Sequence, residues 1–414
     1  GQAQAMRTGA GFGIAPVEPQ VDFAKVMQHV RDTIAKIEPH DSVERFEGLG
    51  VNVVQAYGAF ISPTELQAGD CVIEARRFVI ATGSSPMVPP IPGLSDVPYL
   101  TNESVFDQTE LPSHLIVIGG GPIGLEMAQA HCRLGAKVTV IEAAKALAKE
   151  DPELAAIALE AYRAEGLEIL EGHGVEAVAQ TADGVAVTLA GGRIITGSHI
   201  LVAAGRRPNT ESLGLEKAGV AAGRTGIAVD GALKTSNRRI YAIGDVTGGM
   251  QFTHVAGYQA GVVIRSALFG LPAKARTTHI PWATFTDPEI AHVGLSEAAA
   301  REKFGDSVEI LRMPYENNDR AVATLQTHGL VKVMVYKGKP VGATIVGAQA
   351  DELIQTWSLA ISSRLKIGDV ASMVSPYPTM GELNKRAAGQ YYTPRLFENK
   401  KVKWVVKLVQ KMLP

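Results

Sequence analysis

The sequence is poor in cysteine and has no long hydrophobic run, and both absences restrict what the protein can be. Its 414 residues include two cysteines, Cys71 and Cys132, whose positions give neither a disulfide framework nor a zinc-binding spacing. Nowhere do roughly 18 apolar residues run together, and the opening segment GQAQAMRTGAGFGI lacks the apolar centre of a signal peptide. We therefore expect neither secretion nor a transmembrane helix, and a cytoplasmic location fits.

An excess of charge is also lacking. Charged residues make up 20% of the chain, hydrophobic residues 46%, and the formal net charge is -2. This balance is typical of a globular protein and argues against a nucleic-acid partner. At roughly 150 residues per domain the length predicts two to four domains. No serine nucleophile elbow, P-loop or metal-ligand spacing is present, so we predict no metal site.

The first hundred residues have mixed local patterns. Apolar residues between Val21 and Ile37 recur with helical spacing after Asp22, which predicts a capped helix that buries one face. Two strand-like runs follow, VNVVQAYGAF from Val51 and CVIEARRFVIATG from Cys71. The composition of PPIPGLSDVP then indicates a linker.

Beyond the linker the pattern changes twice. From His114 the strand LIVIG, a helix and the strand KVTVIEA alternate, and a further helix is predicted from Asp151 to Glu165. Such alternation requires crossover connections and therefore predicts a parallel sheet. From His279 paired strands such as GLVKVMVYKGKPVGATIVG predict an antiparallel sheet and a domain boundary.

The motif with the clearest chemistry is GGGPIG, which follows the strand LIVI and opens a helix. Gly119 permits a tight turn, Gly121 lets the backbone approach a pyrophosphate, and Gly124 lets the helix pack closely on the strand. Glu142, at the end of the next strand, can accept hydrogen bonds from both ribose hydroxyls and would repel a 2'-phosphate. The spacing therefore predicts an NAD site that prefers NADH to NADPH.

Other candidate residues carry less chemistry. The segment GAGFG from Gly9 has no strand before it and the wrong glycine spacing, which indicates a loop. His254 and His292 are interpreted as surface or hydrogen-bonded polar groups rather than metal ligands. Cys71 and Cys132 are interpreted as small packing residues.

Six motifs in order make the whole chain resemble the pyridine nucleotide-disulfide oxidoreductases, the flavoproteins that include lipoamide dehydrogenase, glutathione reductase and mercuric reductase. They are ATGSSP, VIGGGPIGLE, AAGRRPN, YAIGDV, FTDPEIAHVGLSE and YPTMGE. The resemblance implies an α/β fold of two Rossmann-like dinucleotide-binding domains, the NAD domain inserted into an incomplete FAD domain, followed by an α+β dimerisation domain. The expected bounds are 1–110 and 233–278 for the FAD domain, 111–232 for the NAD domain and 279–414 for dimerisation.

The same resemblance implies roles for particular residues. Gly83 and Asp245, with their neighbours Thr82 and Gly244, would contact FAD, and Gly205 would approach the NAD. Glu126 would lie near the nicotinamide and the flavin ring, although an exposed glutamate in the first turn of a helix is an equally good interpretation from the sequence. Hydride would pass from NADH to flavin and on to an acceptor.

Two departures from the family bear on activity. The family's opening FAD fingerprint and its C-x-x-x-x-C dithiol are expected upstream of Gly1, so the chain is predicted to begin within a longer protein. Near the C-terminus, Tyr377 stands where lipoamide dehydrogenase has the histidine that works with a glutamate, here Glu382. A phenol with a pKa of about 10 is a poor general base at neutral pH. Exchange of the lipoamide type is therefore not expected, and packing is the alternative role for Tyr377.

Tyr377 also has a counterpart in mercuric reductase, whose version of PYPTMGELNKRAAG is similar. The cysteine pair that delivers mercury in that enzyme has no equivalent in the closing segment WVVKLVQKMLP. The resemblance places Tyr377-Pro378 at a position where the family has a cis bond.

The last residues predict a basic amphipathic helix. In KKVKWVVKLVQKML the valines fall on one face and most lysines on another. Docking on its own or the partner subunit is one role for residues 400–414, and contact with an anionic membrane surface is the other.

Three functions remain open from the sequence. The leading hypothesis is a homodimeric, FAD-dependent NADH oxidoreductase with a small-molecule, thiol or metal acceptor that is not dihydrolipoamide. The second is a metal reductase similar to mercuric reductase. The third is a catalytically inactive, NAD-binding dimeric fragment.

Overall fold

The structure is a computed structural model that describes residues 1–413. In chain order the described residues form twelve α-helices: α1 Gln2–Arg7, α2 Phe23–Ile37, α3 Val43–Gly48, α4 Pro122–Leu134, α5 Pro152–Ala164, α6 Thr253–Ala267, α7 Glu297–Phe304, α8 Asp319–Ala323, α9 Ala350–Ser362, α10 Ile367–Ala371, α11 Glu382–Gly389 and α12 Lys400–Met412. The strands are β1 Gly58–Ser62, β2 Glu65–Ala68, β3 Cys71–Glu74, β4 Phe78–Ile80, β5 Ser84–Pro86, β6 His114–Ile118, β7 Lys137–Glu142, β8 Glu168–Glu171, β9 Val175–Thr181, β10 Gly184–Leu189, β11 Ile194–Gly197, β12 His199–Val202, β13 Arg206–Pro208, β14 Ala222–Gly223, β15 Gly226–Ile227, β16 Ile240–Ala242, β17 Pro281–Thr284, β18 Glu289–Gly294, β19 Val308–Pro314, β20 Leu330–Tyr336 and β21 Lys339–Gly347.

The central unit is a parallel sheet with the strand order β12-β6-β7-β8, as the alternating pattern predicted. Its strands are apolar on both faces, and Leu115, Ile116 and Val117 have no exposed surface. Burial on both faces is why these strands read as continuous hydrophobic runs rather than as alternating ones. The meander β9-β10-β11 covers one face, and its Val187 joins the same core as Ile116.

The segments on either side of this unit in sequence meet in space. Strand β4 pairs in parallel with β16, although more than 150 residues separate them, and β5 pairs with β13. Leu215 and Ile227 share a hydrophobic cluster with Phe60 and Ile80 of the earlier segment. Because residues beyond 205 pack there rather than on the central sheet, we propose that the inserted domain ends near 205 and not at 232.

The C-terminal unit is the five-stranded antiparallel sheet β17-β18-β21-β20-β19, which confirms the change of texture predicted at His279. Helices α9, α10 and α11 cover one face. Trp357 of α9 is fully buried there and donates its indole hydrogen to Oδ1 of Asn384, 2.7 Å away. A buried indole N–H requires such an acceptor, which explains the buried Asn384.

Helix α5 joins the parallel and antiparallel sheets. Its Leu154 and Tyr162 contact the same cluster as Ile290 and Val346 of the C-terminal sheet. At its N-terminus, Asp151 pairs with Nζ of Lys332 on β20 at 2.8 Å, and both side chains are 3% exposed. Such a pair is costly to break, because the remaining charge would stay buried without a partner.

Two strand predictions need correction, whereas the predicted cap of α2 is present. The run from Val51 forms a strand only from Gly58, because no described strand pairs with residues 51–57. The run from Cys71 is interrupted between Glu74 and Phe78, since its halves pair with different neighbours, β2 and β16. Helix α2 begins after Asp22, whose side chain accepts from the Lys25 amide as predicted.

The face of α2 is also less buried than the spacing predicted. Phe23 and Met27 are buried, whereas Ile34 and Ile37 are 51% and 56% exposed. Phe23 lies beside the His131 ring, with the ring centres 6.3 Å apart. The second half of the helix extends past this contact, so its apolar side chains remain exposed among the described residues.

Candidate functional site

The glycine-rich turn between β6 and α4 has the close contacts that its sequence predicted. Gly119 has a φ of +117°, and a Cβ there would lie 2.4 Å from the Ala203 carbonyl oxygen. A Cβ on Gly124 would lie 2.0 Å from the Gly119 carbonyl oxygen, so no side chain fits. In contrast, a Cβ on Gly121 would meet no atom within 4 Å. The open space beside Gly121 is where the motif requires room for a pyrophosphate.

Glu142 is held against this turn by two backbone amides. Its Oε2 accepts a hydrogen bond from Gly120 N at 2.8 Å, and its Oε1 accepts one from Ala144 N at 2.9 Å. These bonds fix the carboxylate yet leave lone pairs on both oxygens for a ligand. The arrangement suits recognition of a pair of vicinal hydroxyls.

Two adjoining cavities of about 350 and 280 Å³ share Gly119, Glu142 and Ala204. Gly205 lines the second cavity, as the predicted NAD contact requires, and so do Lys145 and Lys149. The two lysines bring positive charge to a site where the ligand carries phosphates. The described residues therefore fit a dinucleotide at this edge of the sheet.

A further cavity of about 480 Å³ lies beside the first turn of α4, and its lining includes Gly83, Gly244 and Asp245. Asp245 accepts a hydrogen bond from Ser84 Oγ at 2.6 Å, and Arg206 donates from Nε to the same Oγ at 2.7 Å. These residues fit part of an FAD site. Residues 1–413 contain one strand-to-helix turn with the G-x-G-x-x-G spacing, so a second such turn for the FAD pyrophosphate is not among them.

Thr82 has a different place from the other expected FAD contacts. Its hydroxyl donates to the Asn209 carbonyl oxygen at 2.7 Å, and its own carbonyl accepts from Asn209 Nδ2 at 2.9 Å. It does not line the cavity of Asp245, whereas the flanking Ala81 and Gly83 do. The contacts of Thr82 tie β5 to β13.

The cavities of Glu142 and Asp245 meet at one point of the chain. Ile123, in the first turn of α4, lines both of them. Gly205 lines the cavity of Glu142, and the next residue, Arg206, lines the cavity of Asp245. A ligand in one cavity is therefore separated from a ligand in the other by little more than these side chains.

Glu126 lies one turn further along α4 and has a definite partner. Its Oε1 accepts a hydrogen bond from the Phe285 amide at 2.8 Å, and burial raises the pKa of its carboxyl group. Gln129 makes two more bonds to the backbone of Asp287, at 2.6 and 2.8 Å. Helix α4 is thus fastened to the turn before β18, which gives Glu126 a structural role.

Tyr377 and Glu382 are not hydrogen-bonded to each other. The Tyr377 hydroxyl donates to Oδ2 of Asp319 at 2.8 Å, and this bond raises the pKa of the phenol. The ring is 69% exposed. Glu382 instead lies 3.8 Å from Arg386, and its Oε2 is buried without a hydrogen-bond partner among the described residues. The Tyr377-Pro378 bond is cis, as the resemblance implied.

The cysteine and histidine interpretations have mixed outcomes. Cys132 is half-buried on α4, but Cys71 is exposed on the short meander β1-β2-β3, so its reading as a packing residue was wrong. His292 is buried and hydrogen-bonded to Thr344 and Gly294, and His254 is exposed. The described residues contain no group of three or more histidine, cysteine or acidic side chains placed to hold a metal ion.

Several residues at these sites were not predicted from the sequence, among them Ile123 and Arg206 of the cavity walls. Lys145 and Lys149 follow Glu142 in the same loop, so their spacing was a signal for the dinucleotide cavity. Asp319 is 58 residues from Tyr377, and nothing in the local sequence indicates that contact.

A parallel sheet with a glycine turn, a second cavity across its first helix and an antiparallel C-terminal unit define a dinucleotide-binding oxidoreductase fold. The chain belongs to the pyridine nucleotide-disulphide oxidoreductases. Residues 16–260 match that family, and residues 280–388 match its dimerisation domain. The family resemblance and the fold class predicted from the sequence are confirmed.

Among curated relatives, the chain is 36% identical to mercuric reductase from Bacillus cereus over 377 residues. That match covers 89% of this chain and 60% of the relative, so the chain spans less than two thirds of that protein. It is 34% identical over 389 residues to dihydrolipoyl dehydrogenase from Geobacillus stearothermophilus, covering 91% and 82% of the two chains.

Two solved structures are similar over nearly the whole chain. LpdA from Mycobacterium tuberculosis has a TM-score of 0.86 at 28% identity, covering 94% of this chain and 87% of its own. The Cu(II) complex of the HOCl-induced flavoprotein disulfide reductase RclA from Escherichia coli has a TM-score of 0.82 at 27% identity, covering 93% and 88%. No helix among residues 1–413 is long and apolar enough to cross a membrane.

Proposed function

We propose that the protein is a homodimeric, FAD-dependent oxidoreductase that takes hydride from NADH and passes electrons to an acceptor other than dihydrolipoamide. The observation that carries this proposal is the meeting of the two cavities at Ile123 and at the consecutive residues Gly205 and Arg206. Hydride transfer requires two reacting rings in contact, and neighbouring cavities that share a wall supply that geometry. The match to the family's dimerisation domain supports the homodimer.

In the cavity of Glu142, the chain binds NADH and orients it. The amides at the start of α4 face the phosphates, with Gly121 giving the close approach, and the fixed carboxylate of Glu142 accepts from the adenosine ribose. The first turn of α4 then carries Ile123 to the point where the cavities meet. Glu126 fixes the direction of α4 through its bond to the Phe285 amide.

On the other side, Gly83, Gly244 and Asp245 hold FAD, which when bound supplies the two-electron carrier between nicotinamide and acceptor. The Asp245 carboxylate, which accepts a hydrogen bond from Ser84 Oγ, would accept further hydrogen bonds from the ribityl hydroxyl groups. Because each cofactor has its own carboxylate, the two cofactor sites can be tested with separate variants. We expect Asp245→Asn to reduce the flavin that the protein retains while leaving NADH affinity unchanged, and Glu142→Ala to do the reverse.

The decisive experiment is a visible absorption spectrum of the purified protein, taken before and after anaerobic addition of NADH. The proposal expects a flavin spectrum that NADH bleaches, and Gly121→Ala should prevent the bleaching without removing the flavin. A colourless protein that binds NADH but takes up no added FAD would overturn the proposal. It would favour instead the inactive, NAD-binding dimeric module.

A metal ion is the second candidate for the acceptor, and the Tyr377-Asp319 pair is the observation that favours it. The raised pKa of the phenol makes Tyr377 a hydrogen-bond donor and not a base at neutral pH, so it cannot deprotonate a thiol substrate. Reduction of a metal ion needs no such step. The similarity to proteins named mercuric reductase, and to one named as a Cu(II) complex, agrees with this acceptor class.

Tyr377→Phe tests the acceptor with NADH oxidation as the readout. With Hg(II) or Cu(II) as acceptor we expect a loss of turnover, while reduction of an artificial quinone is retained. Tyr57→Phe is the matched control, because that side chain is fully exposed. If the flavin-loaded protein oxidises NADH with neither Hg(II) nor Cu(II) as acceptor, the metal-reductase candidate is excluded.

A further inference from the structure

The C-terminal helix α12, Lys400–Met412, leaves a whole apolar face uncovered. None of its residues is buried, and Trp404, Met412 and Leu413 are between 65% and 72% exposed. The helix lies beyond residue 388, where the match to the dimerisation domain ends. The shared architecture of the family therefore does not account for this face.

The residues of α12 are sorted sharply by position around the helix axis. At 3.6 residues per turn, five apolar side chains fall within an arc of about 120°: Val402, Val405, Val406, Val409 and Met412. Four lysines fall within about 80° on the opposite side: Lys400, Lys403, Lys407 and Lys411. Trp404 and Leu408 lie at one border between the two arcs. Residues 400–413 contain five lysines and no acidic residue.

The segment before the helix is fastened to the C-terminal sheet. Arg395 pairs with Glu309 of β19 at 2.7 Å and lies over the Tyr391 ring, with its guanidinium carbon 3.6 Å from the ring centre. Leu396 and Phe397, which follow immediately, are 49% and 68% exposed. Two further apolar side chains are thus exposed at the fixed end of the helix.

We propose that α12 lies flat on an anionic lipid surface and attaches the protein to it peripherally. Five lysines within residues 400–413, a stretch with no acidic residue, match the charge of such a surface, and the border position of Trp404 suits the headgroup region. Thirteen residues span about 20 Å, less than the roughly 30 Å of a hydrocarbon core, so the helix lies on the bilayer and does not cross it. Pro414, the last residue of the segment expected to contact a membrane, lies outside the described residues.

Flotation of the full chain with lipid vesicles tests the proposal. We expect binding to vesicles of phosphatidylcholine and phosphatidylserine, no binding to phosphatidylcholine alone, and release at high salt. A lysine near such a surface contributes about fivefold to binding, so Lys403→Gln with Lys407→Gln should weaken it about 30-fold. The matched control is Lys36→Gln with Lys217→Gln, which removes the same charge from exposed positions elsewhere and should leave binding unchanged.

The emission of Trp404 gives an independent readout, because this side chain is 65% exposed in the free protein. Its spectrum should shift to the blue with anionic vesicles, and the shift should vanish in Trp404→Phe although that variant still floats. Equal binding to neutral vesicles, or an unchanged affinity after the two lysine substitutions, would overturn the proposal. The double variant Val405→Ser with Val409→Ser gives a third test, in which the oligomeric mass is measured without vesicles. A change of that mass would also overturn the proposal, because it would mean that α12 contacts a second copy of the chain. None of these readouts depends on flavin or turnover.

Discussion

Replacing Glu142 with alanine should abolish most of the preference for NADH over NADPH. The structure holds this carboxylate between the amides of Gly120 and Ala144 at 2.8 and 2.9 Å. Each oxygen therefore keeps lone pairs for one ribose hydroxyl. NADPH offers one hydroxyl fewer and brings a phosphate of about -1.5 to -2 charge to the same place.

The size of the effect follows from these contacts. A hydrogen bond to a charged acceptor contributes about 1.5 kcal/mol at the lower end of its range. Repulsion between the carboxylate and a phosphate about 4 Å away in water adds roughly 2 kcal/mol, which Lys145 and Lys149 partly offset. We therefore expect Glu142→Ala to lower the ratio of the NADPH dissociation constant to the NADH dissociation constant on the order of 100-fold, which corresponds to about 3 kcal/mol.

Titration calorimetry with NADH and with NADPH measures this ratio without any turnover. Glu216→Ala is the matched control, since that side chain is exposed and lines neither cavity. Glu142→Ala also removes the acceptor of two amides, so its free energy of unfolding should fall by about 1 kcal/mol. An unchanged NADH to NADPH ratio in a folded variant would refute the assignment of Glu142 to the ribose.

Three further outcomes are expected. Gly124→Ala should lower the melting temperature and abolish NADH binding, because its Cβ would lie 2.0 Å from a carbonyl oxygen. Gly121→Ala should abolish NADH binding and leave the melting temperature unchanged, because its Cβ would meet no atom within 4 Å. Equal melting temperatures of the two variants would contradict this interpretation. The pKa of His292 is lowered to about 4 by burial. Unfolded chains therefore take up its proton below pH 6.5 while the folded protein does so only near pH 4, and the unfolding free energy should fall by about 3 kcal/mol across that window. In urea titrations His292→Gln should flatten that slope, and an equally steep slope would rule His292 out as its source. Lys332→Met should lower the free energy of unfolding by about 3–5 kcal/mol, since it leaves the buried Asp151 carboxylate without its partner; a loss below about 1 kcal/mol in urea would show that the pair is not buried in solution.

The central sheet and the glycine turn were predictable from the sequence for a local reason. A fully buried parallel strand must be apolar on both faces, and a turn that cannot hold a Cβ must be glycine, so both constraints are written within about thirty residues of chain. The same holds for Glu142, which stands at the end of the strand next to that turn. The antiparallel C-terminal sheet was also predictable, because short turns join β17 to β18 and β20 to β21.

The other features of the fold and of the sites depend on contacts between segments that are distant in sequence. The two halves of the run from Cys71 have the composition of one strand, yet they pair with β2 and with β16, and the β16 partners lie more than 160 residues away. The partner of Tyr377 is Asp319 and not Glu382, and only the position of α8 decides this. The order of the motifs along the chain implied both cofactor sites. That Ile123 lies in the wall of both cavities is a product of the tertiary fold, because it depends on residues distant in sequence, such as Gly205 and Asp245, meeting beside α4.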